Sequence, residues 1–281
     1  MKEKSIFNKI LLMIIVIIGL FVFEMLFGTI GAIIGDFIIE IVGQSVMSEI
    51  AFNYLFPFFG SLCGIFLLMS FKKNRYMFKK FSLKNNKLLI GFLIGFVMNS
   101  ICILIAYLNH DIKLTFSGGN LLILLFAFFC VFIQSGCEEV SYRLYLYQRI
   151  KKIFNPIWVA IIVNSVYFSL THSLNDGVNL IALTDILLDG IFVSLLIYYY
   201  DDIWICIGQH TAWNFTQNFI FGLPNSGLQS LYSIFRAEGL SNSFAYDIEF
   251  GIESSIVSII VTLIGIAIVY LINKRKKVMN S

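Results

Sequence analysis

Acids, histidines and an asparagine occur within segments of the chain that are otherwise apolar. They form three short patterns: Glu-Glu-Val-Ser-Tyr-Arg at 138–143, Phe-Ser-Leu-Thr-His at 168–172 and His-Thr-Ala-Trp-Asn at 210–214. An ionisable side chain at the bilayer centre costs about 2.5–3.5 kcal/mol on insertion scales, so such residues are functional candidates by default. Carboxylates beside imidazoles could activate water for hydrolysis.

The first pattern contains one more acid than an ion pair needs. On a helix, Glu139 and Arg143 are four residues apart and can pair, which leaves Glu138 without a local cation. A carboxylate held near a second carboxylate in a partly dry cavity becomes a stronger base, so Glu138 is the candidate general base. A purely structural ion pair remains the alternative for Glu139 and Arg143.

His210 and Asn214 are also four residues apart, so their side chains share one helical face. Two hydrogen-bond donors directed at one point could form an oxyanion hole. A metal-binding face is the alternative, although His with Asn is a weaker zinc signal than paired histidines and no HExxH pattern occurs.

His172 is a third candidate, because it ends a helical face that also carries Asn164 and Phe168. A single intramembrane histidine is often only a hydrogen bond between helices. Two histidines together with a pair of acids favour a catalytic centre. Asp185 and Asp189, again four apart, either line the same cavity or face an ion path, whereas Glu24 is expected to be structural.

Taken in order, these patterns resemble the motifs of the CAAX-protease and bacteriocin-processing (CPBP) family of intramembrane proteases. The resemblance rests on Glu-Glu-x-x-x-Arg at 138–143, Phe-x-x-x-His at 168–172 and His-x-x-x-Asn at 210–214, and it covers about 135–215 in detail. It implies an endopeptidase that cleaves membrane-tethered peptides or proteins.

The resemblance also implies roles for single residues. Glu138 would activate water with the help of His172, and His210 and Asn214 would stabilise the oxyanion. Glu139 and Arg143 would brace the site. The family is commonly labelled metalloprotease, yet a glutamate-dependent mechanism without metal is also argued for it. No cofactor is therefore assigned, although Glu138, His172 and His210 could hold Zn²⁺ with an open position for water.

Composition predicts the elements that must position these residues. Hydrophobic residues make up 58% of the 281 residues and charged residues only 13%, too few for the polar surface of a soluble domain. Apolar runs of about 18–25 residues indicate membrane helices. We therefore expect an all-α membrane bundle forming one domain, 1–281, with a catalytic part at about 120–221. The expected spans are about 10–34, 50–71, 88–108, 120–148, 156–173, 182–200, 203–221 and 254–273.

Basic clusters at 2–9, 72–87, 149–152 and 274–277 predict that both termini are cytoplasmic. The Asp201-Asp202 turn falls on that side despite its acidity. In the outer segment 222–253, four apolar residues at helical spacing predict an interfacial amphipathic helix: Leu228, Leu231, Tyr232 and Phe235.

This topology leaves one geometric difficulty. Glu138 falls in the cytoplasmic half of its span and His172 in the outer half, so a long, tilted or broken fourth helix is needed to bring them together. Gly136 is the candidate break.

Two other classes of function stay open. The same polar residues could form a transporter's ion path, which predicts inverted repeats that the sequence does not clearly contain. A non-catalytic bacteriocin-immunity or peptide-binding protein is the second alternative. The expected partners are a membrane-tethered substrate and the lipid bilayer, without nucleic acid. The excess of Lys over Arg, with abundant Ile, Phe and Asn, favours a bacterial source and a cell-membrane location.

Overall fold

The protein is a helical bundle in the computed structural model, which describes residues 5–82 and 86–279. Lys2, Lys4 and Lys84 of the basic clusters lie outside the described residues. In chain order the main helices and strands are α1 Ile6–Val42, α2 Val46–Tyr54, α3 Phe56–Ser70, α4 Lys87–Leu108, β1 Lys113–Phe116, α5 Leu121–Glu139, α6 Tyr147–Ile153, α7 Ile157–Thr171, α8 Leu180–Tyr200, α9 Ile203–Phe215, β2 Phe235–Glu238 and α10 Ile256–Met279.

Six stretches of the described chain are helical, long and apolar enough to cross a membrane, which agrees with the predicted polytopic α-helical class. They are Ile6–Val42, Val46–Ser70, Lys87–Leu108, Leu121–Ile153, Leu180–Tyr200 and Ile256–Lys274. The other two expected spans are also helical: α7 is apolar but shorter, and α9 continues into a π-helical turn, Thr216–Ile220.

The long fourth helix is continuous from α5 to α6 through a π-helical turn, Val140–Leu146. It is 33 residues long, five residues longer at its C-terminal end than the predicted 120–148. The expected break at Gly136 is wrong, because Gly136 lies within regular α5 and the irregularity follows Glu139. Such π-turns often occur at functional sites.

Helix α9 lies at the centre of the bundle, and its backbone packs closely against α4. A methyl group on Gly95 would lie 2.0 Å from the carbonyl oxygen of Gln209, and one on Gly208 would lie 2.2 Å from that of Leu88. Only glycine permits this approach, as is common between membrane helices. The close crossing places the side chains of α9, including His210 and Asn214, deep in the protein.

The segment 222–253 does not form the predicted amphipathic helix. It contains turns and strand β2, which pairs antiparallel with β1. Pro224 and the positive backbone φ angles of Gly222 and Gly227 interrupt a helix there. The apolar residues Leu228, Leu231 and Tyr232 instead pack onto a small core around Phe219.

The acidic turn between α8 and α9 lies beside the basic loop that follows α3. Asp201 forms an ion pair with Lys80, and Asp202 lies 3.9 Å from the ammonium group of Lys87. The acidic turn therefore belongs to the same end of the bundle as the basic 72–87 cluster, which is the arrangement that the topology requires.

Candidate active site

Glu139 and Arg143 form the buried ion pair that their spacing predicts. The Nε atom of Arg143 lies 3.4 Å from Oε2 of Glu139, and both side chains are fully buried. The guanidinium group also lies over the ring of Phe168, 4.2 Å from its centroid. Helix α5, the π-turn and α7 are thereby joined at one point.

Phe168, which lies four residues before His172, packs against both imidazole rings of the site. Its ring contacts His172 at a centroid distance of 4.8 Å and His210 at 6.2 Å. One aromatic ring thus separates the two imidazoles and the guanidinium of Arg143, and holds all three around a common centre.

One carboxylate oxygen of Glu138 accepts a hydrogen bond, and the other accepts none from the described residues. Gln134, one turn earlier on α5, donates a 2.6 Å hydrogen bond to Oε1 of Glu138. Oε2 has no hydrogen-bond partner among the described residues and lies 3.8 Å from Nε2 of His210. Glu138 therefore keeps a free oxygen, held in a fixed orientation, that can accept a proton from water.

His210 is oriented by Glu139 rather than by Glu138. Its Nδ1 atom lies 2.8 Å from Oε1 of Glu139, so the carboxylate accepts a hydrogen bond from Nδ1–H. Nε2 of His210 then points toward Glu138. It can donate to an oxyanion only when the ring is doubly protonated, a state that the Glu139 carboxylate stabilises.

Asn214 lies one turn after His210 and uses only part of its hydrogen-bonding capacity. Its Nδ2 donates to Oε1 of Gln134 at 3.0 Å, and its Oδ1 accepts from Asn225 at 3.2 Å. One of the two hydrogens on Nδ2 remains available to a ligand. The amide is held at both ends, so its orientation is fixed.

His172 caps the C-terminal end of α7. Its Nδ1 lies 2.9 Å from the carbonyl oxygen of Phe168, which can only accept, so Nδ1 carries the proton. In the neutral ring the lone pair is then at Nε2, where it can act as a base or hydrogen-bond acceptor.

Two cavities meet at His172. The larger has a volume of about 780 Å³ and is lined by Glu138 and His172 together with mostly apolar residues of α1, α3 and α7, among which Glu24 is acidic. The smaller has a volume of about 30 Å³ and is lined by His172, His210 and Asn214. A substrate in the large cavity thus reaches Glu138 and His172 directly, and the other histidine lies behind them.

Asp185 and Asp189 line the small cavity with both histidines. Ser258 donates a 2.7 Å hydrogen bond to Asp185, and Gln209 donates one of 3.4 Å to Asp189. Neither aspartate lines the large cavity, so both share only the small cavity with the candidate catalytic residues.

Several site residues were not singled out by sequence reasoning. Gln134 lies one helical turn before Glu138, a spacing that could have revealed it. Asn225 and Glu253 lie beyond α9 and reach the site only through folding. Glu253 accepts hydrogen bonds from Trp213 and Asn225, each at 3.1 Å, and from Ser226. Through these hydrogen bonds Glu253 fixes the positions of Trp213 and of Asn225, which in turn donates to Asn214.

The side-chain arrangement does not fit a metal site. Among the described residues, no three His, Cys, Asp or Glu side chains are grouped so that they could hold an ion. Neither of the two cavities is lined by all three of Glu138, His172 and His210.

The fold and the site together define a polytopic membrane protein with a buried centre of paired acids and histidines. Residues 119–216 match the family model described as Type II CAAX prenyl endopeptidase Rce1-like. This match confirms the resemblance to the CAAX-protease family over that part of the chain, and it supports intramembrane protease activity in general. No curated protein and no solved structure matches the chain.

Proposed function

We propose that the protein is an intramembrane endopeptidase in which Glu138 and His172 activate water. The observation that carries this proposal is the anchored Glu138, whose Oε1 is held by Gln134 while Oε2 has no hydrogen-bond partner among the described residues. A carboxylate that is fixed in position and keeps one free oxygen is suited to act as a general base.

The proposed reaction begins when a water molecule in the large cavity gives a proton to Glu138. The hydroxide oxygen attacks the carbonyl carbon of the scissile peptide bond, and the carbonyl oxygen becomes an oxyanion. That oxygen is directed past Glu138 and His172 toward the small cavity. There His210, in its protonated form, and the free hydrogen of Asn214 donate hydrogen bonds to it. Glu139 and Arg143 hold His210 in place.

Collapse of the tetrahedral intermediate breaks the carbon–nitrogen bond. The proton taken from water returns to the leaving nitrogen, directly from Glu138 or through Nε2 of His172, so that an acid and an amine are released. The substrate is a membrane-tethered peptide or protein, because the large cavity lies among helices that are apolar enough to span a membrane.

The test is cleavage of a membrane-tethered peptide library by purified protein in detergent. Wild type is compared with Glu138→Ala and His172→Ala, each with and without a zinc chelator. Glu40→Ala and His110→Ala are matched controls, because both residues are exposed and lie outside either cavity.

We expect cleavage by wild type and both controls, and none by the two site variants. Insensitivity to the chelator would agree with a reaction carried by side chains alone. Equal cleavage by folded Glu138→Ala would overturn the proposal.

A further inference from the structure

The wall of the large cavity opposite Glu138 is formed largely by one face of α1. Phe21, Glu24, Met25 and Gly28 recur at helical spacing along that wall. Helix α1 packs mainly against α3, where a methyl group on Gly31 would lie 2.2 Å from the carbonyl oxygen of Phe56. The two helices thus form a close pair that faces the candidate catalytic residues across the cavity.

Glu24 is the acidic residue on this wall. It lies near the middle of a 37-residue apolar helix, where a carboxylate is costly unless it is compensated. Tyr167 donates one hydrogen bond of 3.3 Å to its Oε2. The hydroxyl group of Ser141 also interacts with this carboxyl group. Hydrogen bonds from hydroxyl groups could be accepted equally well by a neutral side chain, so they do not account for an acid at this position.

The cavity contains two acids, Glu24 and Glu138, but no lysine or arginine among its described lining residues. Arg143 is turned away, because it pairs with Glu139. An apolar cavity with two carboxylates attracts a cation, since low-dielectric walls strengthen the field of its charges.

We propose that the large cavity binds an apolar peptide segment carrying a Lys or Arg side chain near the scissile bond, with Glu24 as its counter-ion. This inference rests on the proposed function, since it names the substrate class of the same site. Glu138 keeps its role as base, and Glu24 determines specificity by pairing with the cation. The long methylene stem of Lys or Arg lies against the apolar lining while its charged end reaches the carboxylate.

The experiment uses two sets of fluorescent, membrane-tethered peptides. In one set a single Lys is moved through the positions flanking the scissile bond, and in the other Met replaces that Lys. Binding and cleavage are measured separately for wild type, Glu24→Gln and Glu24→Lys in detergent, after thermal melting has shown that each protein is folded. Glu40→Gln is the matched control, because it is the same change at an exposed position on α1.

We expect wild type and Glu40→Gln to prefer the Lys peptide at one or two positions. In Glu24→Gln the ratio of Lys-peptide to Met-peptide binding, and of kcat/KM, should fall at least about tenfold. Glu24→Lys should reject the Lys peptide. If Glu24→Gln does not fold, Glu24→Lys provides the same comparison.

Equal binding of the two peptides to wild type, or an unchanged ratio in Glu24→Gln, would overturn the inference. Binding preference without any cleavage would overturn the proposed function and leave the charge preference established. Cleavage without charge preference would overturn the role of Glu24 and leave the proposed protease function established.

Discussion

Gln134 and Asn214 connect two helices that carry the candidate catalytic groups. Gln134 accepts a 3.0 Å hydrogen bond from Asn214 on α9, and donates one of 2.6 Å to Glu138 on its own helix, α5. A single side chain therefore sets the distance between the candidate base and one of the candidate oxyanion donors. This arrangement makes Gln134 a positioning residue.

Replacing Gln134 by Leu should lower kcat about 10- to 100-fold with little change in KM. The substitution keeps the side chain's approximate size but removes both hydrogen bonds, so Glu138 and Asn214 lose their alignment while the large cavity stays intact. Steady-state kinetics with one cleaved peptide measure the effect. Gln148→Leu, a buried glutamine on α6 that lines neither cavity, is the control. A rise in KM alone would contradict a positioning role.

Asn214→Ala should reduce kcat about 10²- to 10³-fold, the usual effect of removing one oxyanion donor. The matched control is Asn218→Ala, one turn further along the chain. Asn218 donates to the carbonyl oxygens of Leu223 and Leu228, so its loss should lower the melting temperature but not kcat per folded molecule. Loss of kcat in both variants to the same extent would count against the oxyanion assignment.

Stability should decrease as pH rises from about 5 to about 7, because of Glu253. Burial raises the pKa of Glu253 from 4.5 to about 7 despite its hydrogen-bond donors. Within this interval the folded protein keeps a proton that the unfolded chain loses, so raising the pH favours unfolding, by up to about 3 kcal/mol in total. Below pH 4.5 Glu253 is protonated in both states, so this destabilisation is absent and the full stability is retained.

Thermal melting in detergent at a series of pH values measures the Glu253 effect. Glu253→Gln should have a flatter dependence between pH 5 and 7, whereas Glu238→Gln, an exposed change on β2, should follow wild type. Identical slopes in wild type and Glu253→Gln would show that other groups are responsible.

Gly208→Ala should destabilise the bundle by about 1–3 kcal/mol, because the added methyl group would lie 2.2 Å from the backbone oxygen of Leu88 and force α4 and α9 apart. Gly19→Ala is the control, since nothing lies within 4 Å of a methyl group there. The melting temperature should fall only for Gly208→Ala. Unchanged melting of that variant would indicate that the two helices separate at little cost.

Patterns within a few residues of sequence correctly predicted the features that depend on near neighbours in the chain. The hydropathy runs predicted the helices, and a spacing of four residues predicted the Glu139–Arg143 ion pair, because both depend on neighbours within the same helix. The same reasoning failed for 222–253. Helical spacing of Leu228, Leu231 and Tyr232 was overridden by turns at Gly222 and Gly227 and by contacts with a distant core.

By itself, the sequence determined the class of protein, the approximate membrane helices and the six residues for which catalytic roles were predicted. Only the tertiary structure decided that Glu138 and His172 line one cavity, that Gln134 joins Glu138 to Asn214, and that Glu24 faces them from α1. The reason is physical. Hydropathy and helical periodicity act over a few residues, whereas contact between helices depends on how closely distant backbones can approach.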